Sequence, residues 1–264
     1  MNLKNICDEV CALARSTGSY IRNEVNQLQS SRIETKSLHN FVTYVDKTSE
    51  KLLVDRLQEL LPQAGFIVEE NTLQKQGQEY LWVVDPLDGT TNFIHGVPVF
   101  SISIALMQHD EAILGVVYEI NRDECFWAIK GQGAWLNEKP IKVSSAPSVN
   151  DSLLATGFPY YDYQRLENYM ELFTWCLRNS HGVRRLGSAA ADLAYVAAGR
   201  FDGFFEYSLS PWDVAAGSLL VSEAGGKVTD FNGTKNFIAA REIVATNPLI
   251  FDELLEKVKI AFKL

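Results

Sequence analysis

Two rhythms of apolar and polar positions alternate along the chain. Leu3, Ile6, Val10, Leu13, Ile21 and Val25 recur near helical spacing and predict a long first helix. Leu52, Leu53, Leu57, Leu60 and Leu61 predict a second, with Asp46 as its N-cap and Pro62 and Gly65 closing it. The mixed, polar residues 30–45 between them hold one short β-like run, Phe41 to Val45. Phe66-Ile67-Val68 then reads as a short strand running into Glu69-Glu70. Apolar runs at Phe100 to Met107, Ile113 to Ile120 and Glu124 to Ile129 are broken by turn-like His109-Asp110 and Asn121-Arg122-Asp123. That spacing predicts an antiparallel meander, continued through a glycine turn at Gly131 to Asn137.

Beyond the Ser/Pro-rich stretch 143–148 the rhythm changes again. Strands are expected at 153–156, 201–207 and 243–245, and helices at 162–178, 188–199, 212–224 and 248–262. Alternation of this kind indicates an α/β second half with a mixed sheet. No repeat, low-complexity tract or long linker interrupts the 264 residues, so a single domain over 1–264 is expected, with sub-halves of about 1–145 and 146–264.

Composition narrows the function classes. The chain is 47% hydrophobic, enough for a substantial core, and its 24 basic and 33 acidic residues leave a net charge of −9. Such a balance disfavours direct nucleic-acid binding through a general basic surface. It leaves anionic substrates open, because a bound metal inverts the local field. Cys7, Cys11, Cys125 and Cys176 lack the paired spacing of a zinc site and read as reduced core thiols. The charged N-terminus carries no signal-peptide pattern and no run of about 20 apolar residues occurs. A cytoplasmic protein with no membrane partner is expected.

One stretch carries chemistry. Trp82-Val83-Val84 reads as a buried strand, yet it ends at Asp85, turns at Pro86-Leu87, offers Asp88 and then opens a helix with Gly89-Thr90-Thr91-Asn92. Buried carboxylates need a cation, because an unpaired buried charge is costly. A helix opening presents free N–H groups to an anion. Glu69 at the preceding strand end and Asp213 at the start of a small-residue helix add two more acids. Each alone is an ordinary cap or surface charge. Together they point to a hard-cation site such as Mg²⁺ beside a phosphate site.

The run Trp82 to Phe93 resembles the first signature of the inositol monophosphatase family, and Trp212-Asp213-Val214-Ala215-Ala216-Gly217 with Glu223-Ala224-Gly225-Gly226 resembles the second. Val42-Thr43-Tyr44-Val45-Asp46, Phe66 to Glu70 and Gly187-Ser188-Ala189-Ala190 are similar in order and spacing, so the likeness covers essentially the whole chain. Thr156-Gly157-Phe158-Pro159 and Arg184 to Ala190 look most like bacterial members. The resemblance implies an α/β (α+β) fold: a layered αβαβα sugar-phosphatase sandwich, with an antiparallel sheet in the first half and a mixed sheet in the second.

It also implies roles. Glu69, Asp85 and the Leu87 carbonyl would hold one Mg²⁺; Asp85, Asp88 and Asp213 a second; Glu69 and water a third, weaker one. Thr90, oriented by Asp46, would position the nucleophilic water, and the Gly89 and Thr90 N–H groups would cradle the phosphate. Gly187, Ala189, Glu206, Asp88 and Asp213 would meet the substrate, with Lys36, on a mobile loop, supporting ligand or metal. Read from sequence alone, Glu206 is equally a strand-end charge paired with Arg184, Arg185 or Arg200, and His95 a neighbour of the phosphate helix. The activity implied is Mg²⁺-dependent hydrolysis of myo-inositol monophosphates by direct attack of metal-activated water, in a lithium-sensitive homodimer. The alternatives are a related phosphatase for fructose 1,6-bisphosphate, nucleotide 3′-phosphates, NADP or histidinol phosphate, and a regulatory protein binding the transcription machinery.

Overall fold

The structure, a computed structural model, describes residues 1–25, 27, 33–37, 40–70, 79–159 and 162–264, and the backbone alone at 33, 35–37, 40 and 41. Chain order runs α1 (Leu3–Glu24), β1 (Ile33–Ser37), β2 (Asn40–Thr43), α2 (Tyr44–Leu60), β3 (Gly65–Val68), β4 (Tyr80–Asp88), α3 (Thr90–His95), β5 (Ser101–Gln108), β6 (Glu111–Glu119) and β7 (Glu124–Ile129). It continues with β8 (Ala134–Leu136), β9 (Lys139–Ile141), β10 (Leu153–Thr156), α4 (Leu166–Asn179), β11 (Gly182–Arg184), α5 (Ala189–Ala197) and β12 (Gly203–Tyr207). The last elements are α6 (Pro211–Glu223), β13 (Lys227–Thr229), α7 (Phe237–Ala240), β14 (Glu242–Thr246) and α8 (Phe251–Phe262).

Strand alternation sorts the core into layers. In β4, Trp82 and Val84 join Ile102, Ile104 and Tyr118 under α1 and α2, whereas Val83 joins Ala105, Met107 and Val117 on the opposite face. That opposite face packs against α5 and α6, which in turn cover Ala155, Phe204 and Ala245 of the second sheet. Leu154, Phe205 and Val244 point the other way, onto α4 and α8. The result is helices, seven-stranded sheet, helices, five-stranded sheet, helices: the αβαβα sandwich the sequence implies.

Packed between two sheets, α5 and the middle of α6 are buried and mostly small or apolar, with Asp192 in α5 and Asp213 and Glu223 at the ends of α6 as the charged exceptions. The fit is close. A Cβ at Gly115 of β6 would lie 2.8 Å from the Ala216 carbonyl, and one at Gly217 would lie 2.5 Å from Leu193. Glu223, at the end of α6, accepts from the Gly131 and Gly133 N–H groups at 2.8 Å each, fixing the β7–β8 turn onto the helix.

Both sheets are mixed. From β4 to β9 the seven-stranded sheet is an antiparallel meander, but β3 pairs parallel to β4, with Val68 opposite Val84. The expectation of an antiparallel first sheet is corrected at this one pair. The parallel register places Glu69 and Asp85, one residue beyond each partner, at the same end of adjacent strands. In the second sheet β10 runs parallel to β11 and β12, and β14 is antiparallel to β12 and β13.

Two local expectations also change. Helix α2 starts at Tyr44, so the β run ends early: Thr43 is the N-cap and Asp46 is the third helical residue of a capping box. Thr43 combines an extended backbone with a hydroxyl that accepts from the Val45 N–H, which lets it cap the helix directly. Lys36 lies in β1 rather than on a loop, paired as part of a two-stranded ribbon with β2.

Candidate active site

The acids converge because a bulge turns one of them. Asp85 and Asp88 are three apart and in a regular strand would face opposite ways. Asp85 lies opposite Ser103 and Asp88 opposite Ser101, so three steps on β4 match two on β5. The extra residue brings both carboxylates to one side. The Leu87 N–H donates to Asp85 Oδ1 at 2.9 Å and holds the bulge closed.

Asp213 joins them from the first turn of α6, where its Oδ2 accepts from the Ser210 N–H at 2.6 Å in a second capping box. Pro211 opens that helix, a position where its missing N–H costs nothing. Asp85, Asp88 and Asp213 each offer a carboxylate oxygen within 4.8 Å of the others. Asp88 is held by α5: its Oδ2 accepts from the Ser188 hydroxyl and the Ala190 N–H, both at 2.7 Å. Glu69 lines the same cleft.

Electrostatics describe an unmet need for cations. Burial first, then the charges of Glu69, Asp88 and Asp213, push the Asp85 carboxyl well above the usual carboxylate range. Asp213 moves the same way, through burial and then Asp88. Asp88 is raised by burial to about 6, with the Ser188 and Ala190 hydrogen bonds opposing. Like charges so close must protonate or bind a cation. An all-oxygen donor set of carboxylates, in a cleft that Leu87 also lines, fits a hard divalent ion.

Above the acids, Gly89 and Thr90 open α3. Gly89 has φ of 99°, and a Cβ there would lie 3.1 Å from the Val99 carbonyl and 3.2 Å from that of Gly187, so any side chain at this position is strained. The Thr90 hydroxyl donates to Asp46 Oδ1 at 2.8 Å and lies 3.1 Å from the Leu87 carbonyl. The other Asp46 oxygen accepts from the Thr43 N–H at 2.8 Å and its hydroxyl at 2.6 Å. Burial raises the Asp46 carboxyl and these hydrogen bonds oppose the rise.

A cavity of about 230 Å³ connects these groups with Gly187, Ala189 and Glu206. Glu206 sits in β12 beside Gly157, where a Cβ would fall 2.0 Å from its carboxylate. Burial raises Glu206 well above the usual range and Arg185 counters it. Of its other candidate partners, Arg200 is engaged by Glu124 at 2.5 and 2.7 Å, and the Arg184 guanidinium bonds its neighbour's carbonyl.

The structure therefore brings together Asp46, Glu69, Asp85, Leu87, Asp88, Gly89, Thr90, Gly187, Ala189, Glu206 and Asp213. The Lys36 side chain lies outside the described part. His95 is exposed at the end of α3 and does not line the cavity. Asn92 proves structural: its amide donates to the Val99 and Leu186 carbonyls at 2.7 and 2.8 Å, tying α3 to the loop that carries Gly187. Sequence reasoning assigned no role to Ser188, which holds Asp88, or to Asp192, a buried acid in an alanine-rich helix. The second had a signal, since charge inside an apolar run is rarely idle.

Comparison with known proteins places these features in context. The model of the inositol monophosphatase family matches residues 2–261. The chain is 43% identical over 251 residues to the Nus factor SuhB of Pseudomonas aeruginosa, covering 93% of each sequence. The crystal structure of the extragenic suppressor protein suhB of Bartonella henselae superposes with a TM-score of 0.90 at 37% identity, covering 98% of this chain and 99% of that one. An inositol monophosphatase from Anabaena gives 0.86 at 40% identity, covering 98% and 97%.

Proposed function

This chain belongs to the inositol monophosphatase family, and from that premise we propose that it is a Mg²⁺-dependent phosphomonoesterase that hydrolyses myo-inositol monophosphates. The observation that carries the reading is the juxtaposition, in one cavity, of the Asp85–Asp88–Asp213 cluster and Thr90, whose hydroxyl is bonded to the buried Asp46 behind it. Glu69, Asp85 and the Leu87 carbonyl, and Asp85, Asp88 and Asp213, are the sets that would hold two ions, with a third, weaker one at Glu69. When bound, such ions neutralise phosphate charge and acidify water.

The protein's own groups do the positioning. Asp46 accepts the Thr90 hydroxyl proton, which leaves Thr90 Oγ1 lone pairs to accept from a water. The Thr43 bonds fix the Asp46 carboxylate so that Thr90 has one preferred orientation. Gly89 and Thr90 N–H groups approach the phosphate without an intervening side chain. Glu206 and the Ala189 backbone meet hydroxyls of the leaving group.

The test is a substrate panel in Mg²⁺. Phosphate release should be fastest, by kcat/KM, from myo-inositol 1-phosphate, ahead of fructose 1,6-bisphosphate, a nucleotide 3′-phosphate, NADP and histidinol phosphate. A different leader overturns the substrate assignment. Self-association into a homodimer is part of the same reading, supported by Leu166, Met170 and Leu177, which expose one apolar face of α4. The Pseudomonas relative's name, Nus factor, favours a second role alongside catalysis, contact with the transcription machinery, tested by pull-down at physiological salt.

A further inference from the structure

Asp192 lies in α5 one turn beyond Ser188, is only 2% exposed, and lines the cavity. Its Oδ1 has no hydrogen-bond partner among the described residues. Its neighbours in α5 are Ala190, Ala191, Leu193 and Ala194, all buried and apolar. A buried carboxylate oxygen without a donor is destabilising, and an apolar side chain of similar size would remove that cost. The fold therefore carries an acid where packing alone asks for a hydrocarbon. Burial first, then the charges of Glu206 and Asp88, hold its carboxyl well above the usual carboxylate range, and Arg185 opposes the rise.

We propose that Asp192 is a specificity-determining residue: its unpartnered oxygen accepts a hydrogen bond from a hydroxyl of the leaving group, so that Asp192 and Glu206 together recognise two hydroxyls of an uncharged polyol leaving group. The inference rests on the phosphatase reading above and adds a residue to it. An oxygen of a carboxyl group keeps acceptor lone pairs in either protonation state, and a hydroxyl is the donor that leaves no charge to neutralise. A leaving group lacking that hydroxyl leaves the buried oxygen unpaired, which is the strongest form of discrimination a polar pocket offers. Two acids on one wall also reject a leaving group that carries a second phosphate.

The test compares kcat/KM for myo-inositol 1-phosphate with that for p-nitrophenyl phosphate, whose leaving group has no alcohol hydroxyls, within each preparation. This ratio does not depend on the fraction of protein that is folded. Asp192→Leu should lower the ratio about tenfold or more, mainly through KM for the polyol substrate, while thermal unfolding in EDTA moves to an equal or higher temperature. Asp192→Asn, which keeps the shape and one weaker acceptor, should lower it in the same direction by less. A merely structural role predicts a lower unfolding temperature and an unchanged ratio. A folded Asp192→Leu or Asp192→Asn protein whose ratio stays within threefold of the unaltered chain overturns the inference alone. Hydrolysis of neither phosphate by the unaltered chain overturns it together with the reading beneath it.

Discussion

Asp46 and Thr90 are 44 positions apart in sequence and meet through one hydrogen bond of 2.8 Å. Removing the hydroxyl in Thr90→Ala should lower kcat by about 10²- to 10⁴-fold, the range of a positioned proton acceptor, with Thr90→Ser restoring most of it. Steady-state phosphate release in Mg²⁺ checks both, and equal losses in the two variants would show that the methyl, not the hydroxyl, matters. The acids also set a pH dependence. Asp88 binds its proton more tightly in the folded chain, at about 6 against an ordinary 3.8. Its contribution to stability is therefore complete below the unfolded value and is lost as pH rises through about 6. In EDTA the unfolding temperature should fall between about pH 5 and pH 7.5, and Mg²⁺ should reverse the fall at the upper end. A metal-free protein that grows more stable over that interval would contradict the clustering of these carboxylates. At this scale the sequence announces which acids come together but not how they are held. Asp46 and Asp213 each serve as the third residue of a capping box, so an ordinary helix-start role and the proposed site role fall on the same side chains.

Elements place these residues through three devices: the β4 bulge, the parallel β3–β4 register, and the N-terminal turns of α3, α5 and α6. Gly89→Ala forces a Cβ into left-handed backbone and toward two carbonyls, and should cost about 1–3 kcal/mol. Gly115→Ala pushes β6 from α6 through the Ala216 carbonyl and should lower the unfolding temperature by about 2–4 °C per kcal/mol lost. Because α6 carries Asp213, that variant should also need more Mg²⁺ for half-maximal activity; an unchanged Mg²⁺ requirement would separate the packing from the site. Most elements are legible from pattern, since α1, α2, α4 and α8 carry a helical period, the meander strands form apolar runs broken by turns, and α6 is a run of small and apolar residues closed by Gly225-Gly226. The three-residue strands β8, β9, β11 and β13 are too short to show a period. The bulge was invisible because Asp-Pro-Leu-Asp reads as a turn, and the parallel pairing because partner choice is a property of the sheet, not of either strand.

For the whole molecule, the layered order follows from two helices with no polar face lying between two sheets whose strands alternate cleanly. Its outer surface carries the exposed stripe of Leu166, Met170 and Leu177. Light scattering should give twice the chain mass of 29.6 kDa, and Met170→Glu with Leu177→Glu should return it to one copy. A monomeric unaltered chain would remove the dimer from the proposal without touching the site. The architecture was legible in the sequence through signature residues spread across the whole chain, while the part of the cavity lining that holds Glu206 and Asp192 was only half visible, because its members belong to different elements joined by the fold. The central claim is that the acidic cluster works through bound Mg²⁺. Phosphate release from myo-inositol 1-phosphate, measured for the unaltered chain and Asp85→Asn with Mg²⁺ and with EDTA, tests it most directly. The account predicts turnover only for the unaltered chain in Mg²⁺; turnover that survives chelation, or that Asp85→Asn leaves intact, would contradict it.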